Sequence, residues 1–223
     1  MRIGGSRSGR ALPPGRGRTP LAPPCAALIA LAVARHSGAT TKGLSQIVTP
    51  DLQPVGQLSL SFQAQARRIG NPYELQAELG LTPWIEVAAF QGLSPDERIL
   101  GTEIALVDHG PYLLTTGFIN WSNDGSSPQP LLEGGYYTEH EKYMAGAVRV
   151  GNRYEALLGW AHDFNPTWRF QLDYQSGSEN SFTAGFTWNV TRSFQVNPAV
   201  YLSNDHGHAL LGYVVFTYTL PLW

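Results

Sequence analysis

From Gly56 to the end of the chain, apolar and polar residues alternate with a period of two. QLSLSFQAQA at 57–66 sets Leu58, Leu60, Phe62, Ala64 and Ala66 against Gln57, Ser59, Ser61, Gln63 and Gln65. YELQAELGL at 73–81 sets Tyr73, Leu75, Ala77, Leu79 and Leu81 against Glu74, Gln76 and Glu78, and WRFQLDYQ at 168–175 sets Trp168, Phe170, Leu172 and Tyr174 against Arg169, Gln171, Asp173 and Gln175. NSFTAGFTWNV at 180–190 repeats the pattern, with Phe182, Ala184, Phe186 and Trp188 opposing Thr183, Thr187 and Asn189. Side chains point to opposite sides along a strand, so each stretch is a strand with one apolar and one polar face. Helical periodicity is absent.

Apolar runs between turn signals predict twelve strands, near 57–66, 73–81, 84–92, 98–107, 111–120, 131–138, 143–150, 153–163, 167–176, 180–190, 193–203 and 208–220. The stretches starting near 98, 111, 131 and 143 alternate weakly. Two architectures use such strands. A soluble β-sandwich or jelly roll buries the apolar faces, whereas a transmembrane barrel turns them to lipid and lines its lumen with the polar ones. At roughly 9–11 residues the clear strands suit a tilted bilayer crossing better than a sandwich, whose strands are nearer 5–6.

The connections add a second argument. LTPWIEV at 81–87, FNPTWRF at 164–170 and NVTRSFQV at 189–196 are short turns, each followed by an aromatic residue, and all precede odd-numbered strands. The connections after odd strands include longer polar ones, GLSPDER at 92–98, SNDGSSPQP at 122–130, SGSEN at 176–180 and NDHGH at 204–208, with Gly151-Asn152 as a tight exception. A barrel with both termini on one side has this parity. No stretch reaches the roughly 20 unbroken apolar residues of a spanning helix, so a membrane reading requires a barrel.

The first residues differ from the rest. Residues 1–24 hold five arginines and no acid, and CAALIALAVA at 25–34 is an apolar run ending Ala32-Val33-Ala34. This is the layout of a signal peptide, residues 1–39, with cleavage expected after Ala34 or Ala39. Residues 40–55 show no period and form an irregular lead-in segment that either trails as a tail or tucks into a barrel mouth; residues 56–223 are the barrel domain. Processing would remove Cys25, the only cysteine, and so exclude disulfides and thiolate metal sites. It would also remove six of the 15 basic residues and none of the 17 acids, leaving a formal charge of −8. Such a chain is no nucleic-acid binder.

With its alternating strands, the Trp84, Trp168 and Phe194 that follow short turns, and a last strand ALLGYVVFTYTLPLW closing on Trp223, the region 56–223 resembles a Gram-negative outer-membrane β-barrel. The resemblance implies an antiparallel up-and-down barrel of about 12 strands in the cell outer membrane, assembled by machinery that reads a C-terminal aromatic. The chain departs from the pattern there, because Val214, Phe216, Tyr218 and Leu220 are out of phase with Trp223 and Pro221 interrupts the ladder. The stretch GLSQIVTPDLQPVGQLSLSF is also similar to the start of small barrels associated with aromatic-compound degradation, which hints at a ligand class.

On this reading Phe62, Leu79, Phe170, Phe182, Phe186 and Trp188 face lipid, and Trp84, Trp168 and Trp223 lie at the interface. The lumen receives Gln57, Gln63, Gln65, Glu74, Gln76, Glu78, Glu86, Arg153, Glu155, Arg169, Gln171, Asp173 and Gln175. Such a mixture either fills a narrow barrel with hydrogen bonds or lines a pathway for small solutes. A narrow channel or transporter is the leading expectation; a non-conducting structural or binding barrel and a secreted soluble sandwich are the alternatives. Catalysis is not expected. His162-Asp163 and Ser203-Asn204-Asp205-His206-Gly207-His208 contain the right residue types but no His-x-Ser-Asn-Gly arrangement of outer-membrane phospholipases, and the latter run reads as a solvated turn. No cofactor or metal is expected; Asp205, His206 and His208 on a flexible loop are weak ligands for one.

Overall fold

The computed structural model describes residues 43–205 and 207–223, so the expected export signal lies outside the described residues. The strands are β1 (Gln57–Gln65), β2 (Tyr73–Thr82), β3 (Ile85–Leu93), β4 (Asp96–His109), β5 (Tyr112–Ser122), β6 (Gln129–Tyr137), β7 (Glu141–Val150), β8 (Arg153–Asn165), β9 (Trp168–Gln175), β10 (Ser181–Asn189), β11 (Phe194–Ser203) and β12 (Leu210–Pro221). Each pairs antiparallel with its sequence neighbours, and β1 pairs with β12 to close a twelve-strand barrel. Closure satisfies the edge strands. The fold is the antiparallel up-and-down transmembrane barrel expected from the alternation, and no soluble sandwich forms.

Strand β10 shows how the pattern produces the wall. Ser181, Thr183 and Thr187 point inward and are buried, while Phe182, Phe186 and Trp188 point outward and are about 40% exposed. The outward residues pair across strands: Phe170 with Phe186 at 5.1 Å between rings, and Trp168 with Trp188 at 5.4 Å in parallel planes. Inward hydroxyls pair across the β1–β12 seam, Ser59 with Thr219 at 3.1 Å and Ser61 with Thr217 at 2.8 Å.

The weakly alternating stretches have two physical causes. Along β6 and β7 the inward face carries the apolar Leu131, Met144 and Val148, beside Leu157 and Ala161 of β8, so both faces of β6 and β7 are largely greasy and the period of two fades. Between β4 and β5 the register shifts twice, near Leu100/Thr102 and Ala105/Val107, and Asn120 adopts a positive φ of 56°. Each bulge inverts the parity that a sequence reading relies on. Beside the first shift, Gly117 lies so close to β4 that an added Cβ would fall 2.0 Å from the Thr102 carbonyl oxygen. Gly117→Val is expected to lower the refolded fraction on heat-modifiable gels, at a cost of about 1–3 kcal/mol from overpacking.

Parity holds throughout, but one expected loop is corrected. GLSPDER is not a long polar connection: β3 runs to Leu93 and β4 begins at Asp96, leaving only Ser94-Pro95 between them. Asp96 and Glu97 pair with Leu93 and Gly92, so the polar residues extend the hairpin instead of forming a loop. At the C-terminus β12 ends at Pro221; the Leu222 amide donates to Gly56 at 2.7 Å, and the Trp223 indole lies over Gly56. Gly56, at a φ of 73°, has no room for a side chain there.

Candidate functional site

The lumen is occupied by the chain itself. Residues 43–54, the irregular lead-in, run inside the wall from mid-barrel to the end of the barrel that carries the termini, where they join β1. The tucked-in alternative is thus the one observed. A short turn begins the segment, with the Leu44 amide donating to the Ile47 carbonyl at 3.0 Å. Leu44 and Ile47 then pack on the inward apolar patch of β6, β7 and β8.

Polar wall groups hold the backbone on the opposite side. The Asp173 carboxylate accepts the Ser45 amide at 2.7 Å and the Gln46 amide at 3.3 Å. Gln171 Nε2 donates to Ser45 Oγ at 3.0 Å, Asn197 Nδ2 donates to the Leu44 carbonyl at 3.1 Å, and the Tyr201 hydroxyl donates to the Ser45 carbonyl. Nearer the terminus end, Glu86 accepts the Gln53 amide at 2.6 Å, and the Gln53 side chain donates to Ser59. Glycines make room for this chain. A Cβ at Gly80 would fall 2.3 Å from the Gln53 and Pro54 carbonyl oxygens, one at Gly159 would fall 2.7 Å from Leu44, and one at Gly185 would fall 2.7 Å from Ser45 Oγ.

One ion pair ties the middle of the segment down. Asp51 accepts from Lys142 Nζ at 3.1 Å and from the Tyr137 hydroxyl at 2.8 Å, and Lys142 lies 4.6 Å over the Tyr137 ring. Burial pushes the Asp51 carboxyl up, but Lys142 and hydrogen bonds from Thr49 and Tyr137 outweigh it and hold the group well below the usual carboxylate range. A depressed carboxyl stabilises above its unfolded pKa and loses that contribution only as pH falls through the folded value, so the pair is intact at neutral and mildly acidic pH. Lys142→Met is expected to release the segment: protease cleavage within 43–54 should rise, for a loss of about 1–3 kcal/mol from one charged hydrogen-bonded partner. Unchanged protection would mean that the ion pair does not anchor it.

The proposed lumen residues fall into three groups. Gln63, Glu74, Glu78, Glu86, Gln171 and Asp173 are buried on the inward face. Gln57, Gln65, Gln76, Glu155, Arg169 and Gln175 are half-buried, with Gln76 donating to Gln63 and Glu74, Gln175 donating to Glu155 at 2.8 Å, and Arg169 Nε donating to Asp163 at 2.6 Å. Arg153, beside the Gly151-Asn152 turn, is exposed at the rim. The outward group behaves as a second surface: Phe62, Phe182, Phe186, Trp188, Trp84, Trp168 and Trp223 are exposed, and Leu79 and Phe170 are half-exposed. Asp51, Lys142, Tyr137, Asn197 and Tyr201 were not singled out as site residues from the sequence. The inward parity of Asn197 and Tyr201 along β11 was their available signal. A small cavity of about 30 Å³ remains beside the segment, lined by Val48, Glu78, Glu86, Phe90, Glu103 and Ile119 among others, enough for about two waters.

The candidate chemical groups do not assemble a catalytic site among the described residues. His162 Nδ1 lies 2.6 Å from Glu141 on the outward face, with the Trp160 indole donating to the same carboxylate at 2.7 Å. Asp163, next in sequence, points inward to Arg169. Asp205 accepts from Arg68 and from the Gly207 amide at 2.9 Å, and His206 lies outside the described residues. No group of three or more metal-ligating side chains occurs among the described residues.

No protein-family model matches the chain, and no curated protein matches it. Solved structures do. A KdgM porin in complex with disordered oligogalacturonate shares 11% identity over 73% of this chain and 98% of its own, with a TM-score of 0.52. A second KdgM porin structure gives the same coverages and TM-score at 9% identity. Omp33, an outer membrane protein of Acinetobacter baumannii, covers 74% of this chain and 98% of its own at 10% identity and a TM-score of 0.46. At such identities the property shared with the KdgM porin is the barrel fold.

Proposed function

We propose that this chain is an exported, non-catalytic outer-membrane channel for small solutes, held closed by its own residues 43–54. The observation that carries the reading is the division of one closed wall into two surfaces. The outward side presents aromatic and aliphatic residues that suit a hydrocarbon slab with aromatic girdles, and the inward side presents amides, hydroxyls and carboxylates that suit a hydrated path. On this reading Phe62, Leu79, Phe170, Phe182, Phe186 and Trp188 contact lipid, Trp84, Trp168 and Trp223 sit at the interface, and the inward residues named above line the solute path.

Residues 1–39 supply the export signal of a Gram-negative cell, and the last strand serves assembly, with Trp223 seated against Gly56 as the terminal aromatic. The likeness of the opening stretch to barrels of aromatic-compound degradation adds aromatic solutes to the set to be tried. One observation favours a second reading, a filled barrel that binds without conducting: the lumen holds twelve residues of chain anchored at both ends.

The deciding experiment is refolding of the chain from Thr40 into lipid vesicles, followed by heat-modifiable gel migration and glucose-driven vesicle swelling. Compact β-structure that needs lipid or detergent, together with swelling, supports the channel. Folding without swelling, both by this chain and by a barrel lacking residues 43–54, gives the filled barrel. A soluble monomer in plain buffer removes both.

A further inference from the structure

The contacts that hold Leu44, Ser45 and Gln46 describe a ligand more closely than they describe a generic plug. Within one side-chain length, the wall supplies a carboxylate for two N–H donors, two side-chain donors for two successive carbonyls, and a greasy patch for an aliphatic side chain. Asp173 takes the amides of Ser45 and Gln46, with 2.7 Å as the shortest contact, Asn197 Nδ2 donates to the Leu44 carbonyl at 3.1 Å, and Tyr201 donates to the Ser45 carbonyl. The groups are built into the wall: Asp173 and Tyr201 are each 2% exposed and Asn197 is 1% exposed. Asp173 and Tyr201 lie on one inward row with Thr183 paired between them, and Asn197 lies further along the same inward face of β11 as Tyr201.

A second observation shows that the segment does not saturate the site. Asn197 Oδ1 is buried and has no hydrogen-bond partner, although it lies on the same carboxamide that grips Leu44. A buried carbonyl oxygen left without a donor costs free energy, and a ligand richer in N–H groups than a main-chain amide would satisfy it. A free ammonium carries three such donors.

We propose that Asp173, Asn197 and Tyr201 form a subsite for a short peptide with a free amino terminus and an aliphatic first side chain. Leu44 to Gln46 stand in for it in the closed state. The proposal rests on the reading of the lumen as the solute site and names the solute class. In the register of Leu44 to Gln46 the first side chain enters the patch of Leu131, Met144, Leu157 and Ala161, the first carbonyl accepts from Asn197 Nδ2 and the second from Tyr201. The ammonium takes the place of the Leu44 amide, one residue from the N–H that Asp173 accepts, and supplies the charge that faces Asp173 and the donor that Asn197 Oδ1 lacks. Arginine and lysine, which an acidic solute would need, do not touch this subsite among the described residues, whereas the Asp173 carboxylate repels anions.

The test is calorimetry of leucyl-serinamide added to the detergent-folded chain, beside glucose-driven swelling of vesicles that hold the same preparation. Saturable binding of leucyl-serinamide is expected, weakened at least tenfold by N-acetylation of the probe, the order of one charge-assisted hydrogen bond. Asp173→Asn should erase the difference between free and acetylated probes. Tyr201→Phe, a milder change whose folding is read by heat-modifiable migration, should weaken both probes several-fold. Equal affinity for the two probes, or no binding at all, overturns the peptide subsite whatever glucose does. Swelling without peptide binding leaves the channel standing without this subsite, and peptide binding with no swelling from either the intact barrel or one lacking residues 43–54 keeps the subsite and overturns conduction.

Discussion

Deleting residues 43–54 is expected to raise the conductance of the reconstituted barrel by about tenfold or more, because a twelve-strand wall is wider than the eight-strand barrels that side chains alone fill. The wall itself does not need the segment: every strand is paired on both sides by other strands. What the segment supplies is filling, through Leu44 and Ile47 on the apolar patch and the Asp173, Glu86 and Lys142 anchors. The deletion should therefore leave heat-modifiable migration in place while lowering its midpoint temperature. Gly159→Leu offers a gentler version, since a side chain there would enter the space of Leu44, Ile47 and Met144. Unaltered single-channel current from a folded deletion variant would show that the obstruction lies elsewhere in the lumen.

Phe186→Arg is expected to cost about 2–4 kcal/mol of folding free energy in lipid, the penalty of a guanidinium near the bilayer midplane. Phe186 is 45% exposed on the outward face, midway along β10, against Phe170. The matching inward substitution must be chosen with the lumen in mind. Thr187 is 3% exposed and bonded to Gln171 at 3.0 Å, so an arginine there would collide with the wall. Gln175 is half-buried near the loop end and donates to Glu155 at 2.8 Å, so Gln175→Arg keeps a partner and should change stability by less than about 1 kcal/mol. Denaturant titration of both variants in vesicles measures the contrast; equal losses would remove the assignment of Phe186 to the lipid side.

How far the sequence carried depended on what each inward face touches. Strands β1, β2, β9 and β10 turn small polar or charged residues to the lumen and aromatic or aliphatic ones outward, and there the alternation located each strand to within about two residues. Strands β6 and β7 blurred because their inward face packs on Leu44 and Ile47, a contact invisible until the lead-in is known to enter the barrel. Strands β4 and β5 blurred because of bulges, which shift parity with no mark in composition beyond Gly117 and Asn120. The site itself was half legible. Gln171 and Asp173 announced themselves by parity, but Asp51 and Lys142 are 91 positions apart, and nothing in either neighbourhood points to the other. Inward glycines were the missed clue: Gly80, Gly159 and Gly185 sit on the inward side of their strands, where an empty lumen would not require the absence of a side chain.

The seam between β1 and β12 sets how this wall can assemble. Eleven of the twelve strand pairings join consecutive strands and form hairpins of low sequence separation, whereas Ser59 and Thr219 meet across 160 positions. Loop-closure entropy makes that contact the slowest to pay back, so the hairpins are expected to form first and the seam last. Because the lead-in leaves the lumen directly into β1, the ring that shuts at this seam shuts around a strand already tethered to its own filling. Registration of Gln57 opposite Pro221 and docking of residues 43–54 are then one event, and a chain that closed without its lead-in inside would have to reopen the seam or thread twelve residues back through the mouth at the terminus end.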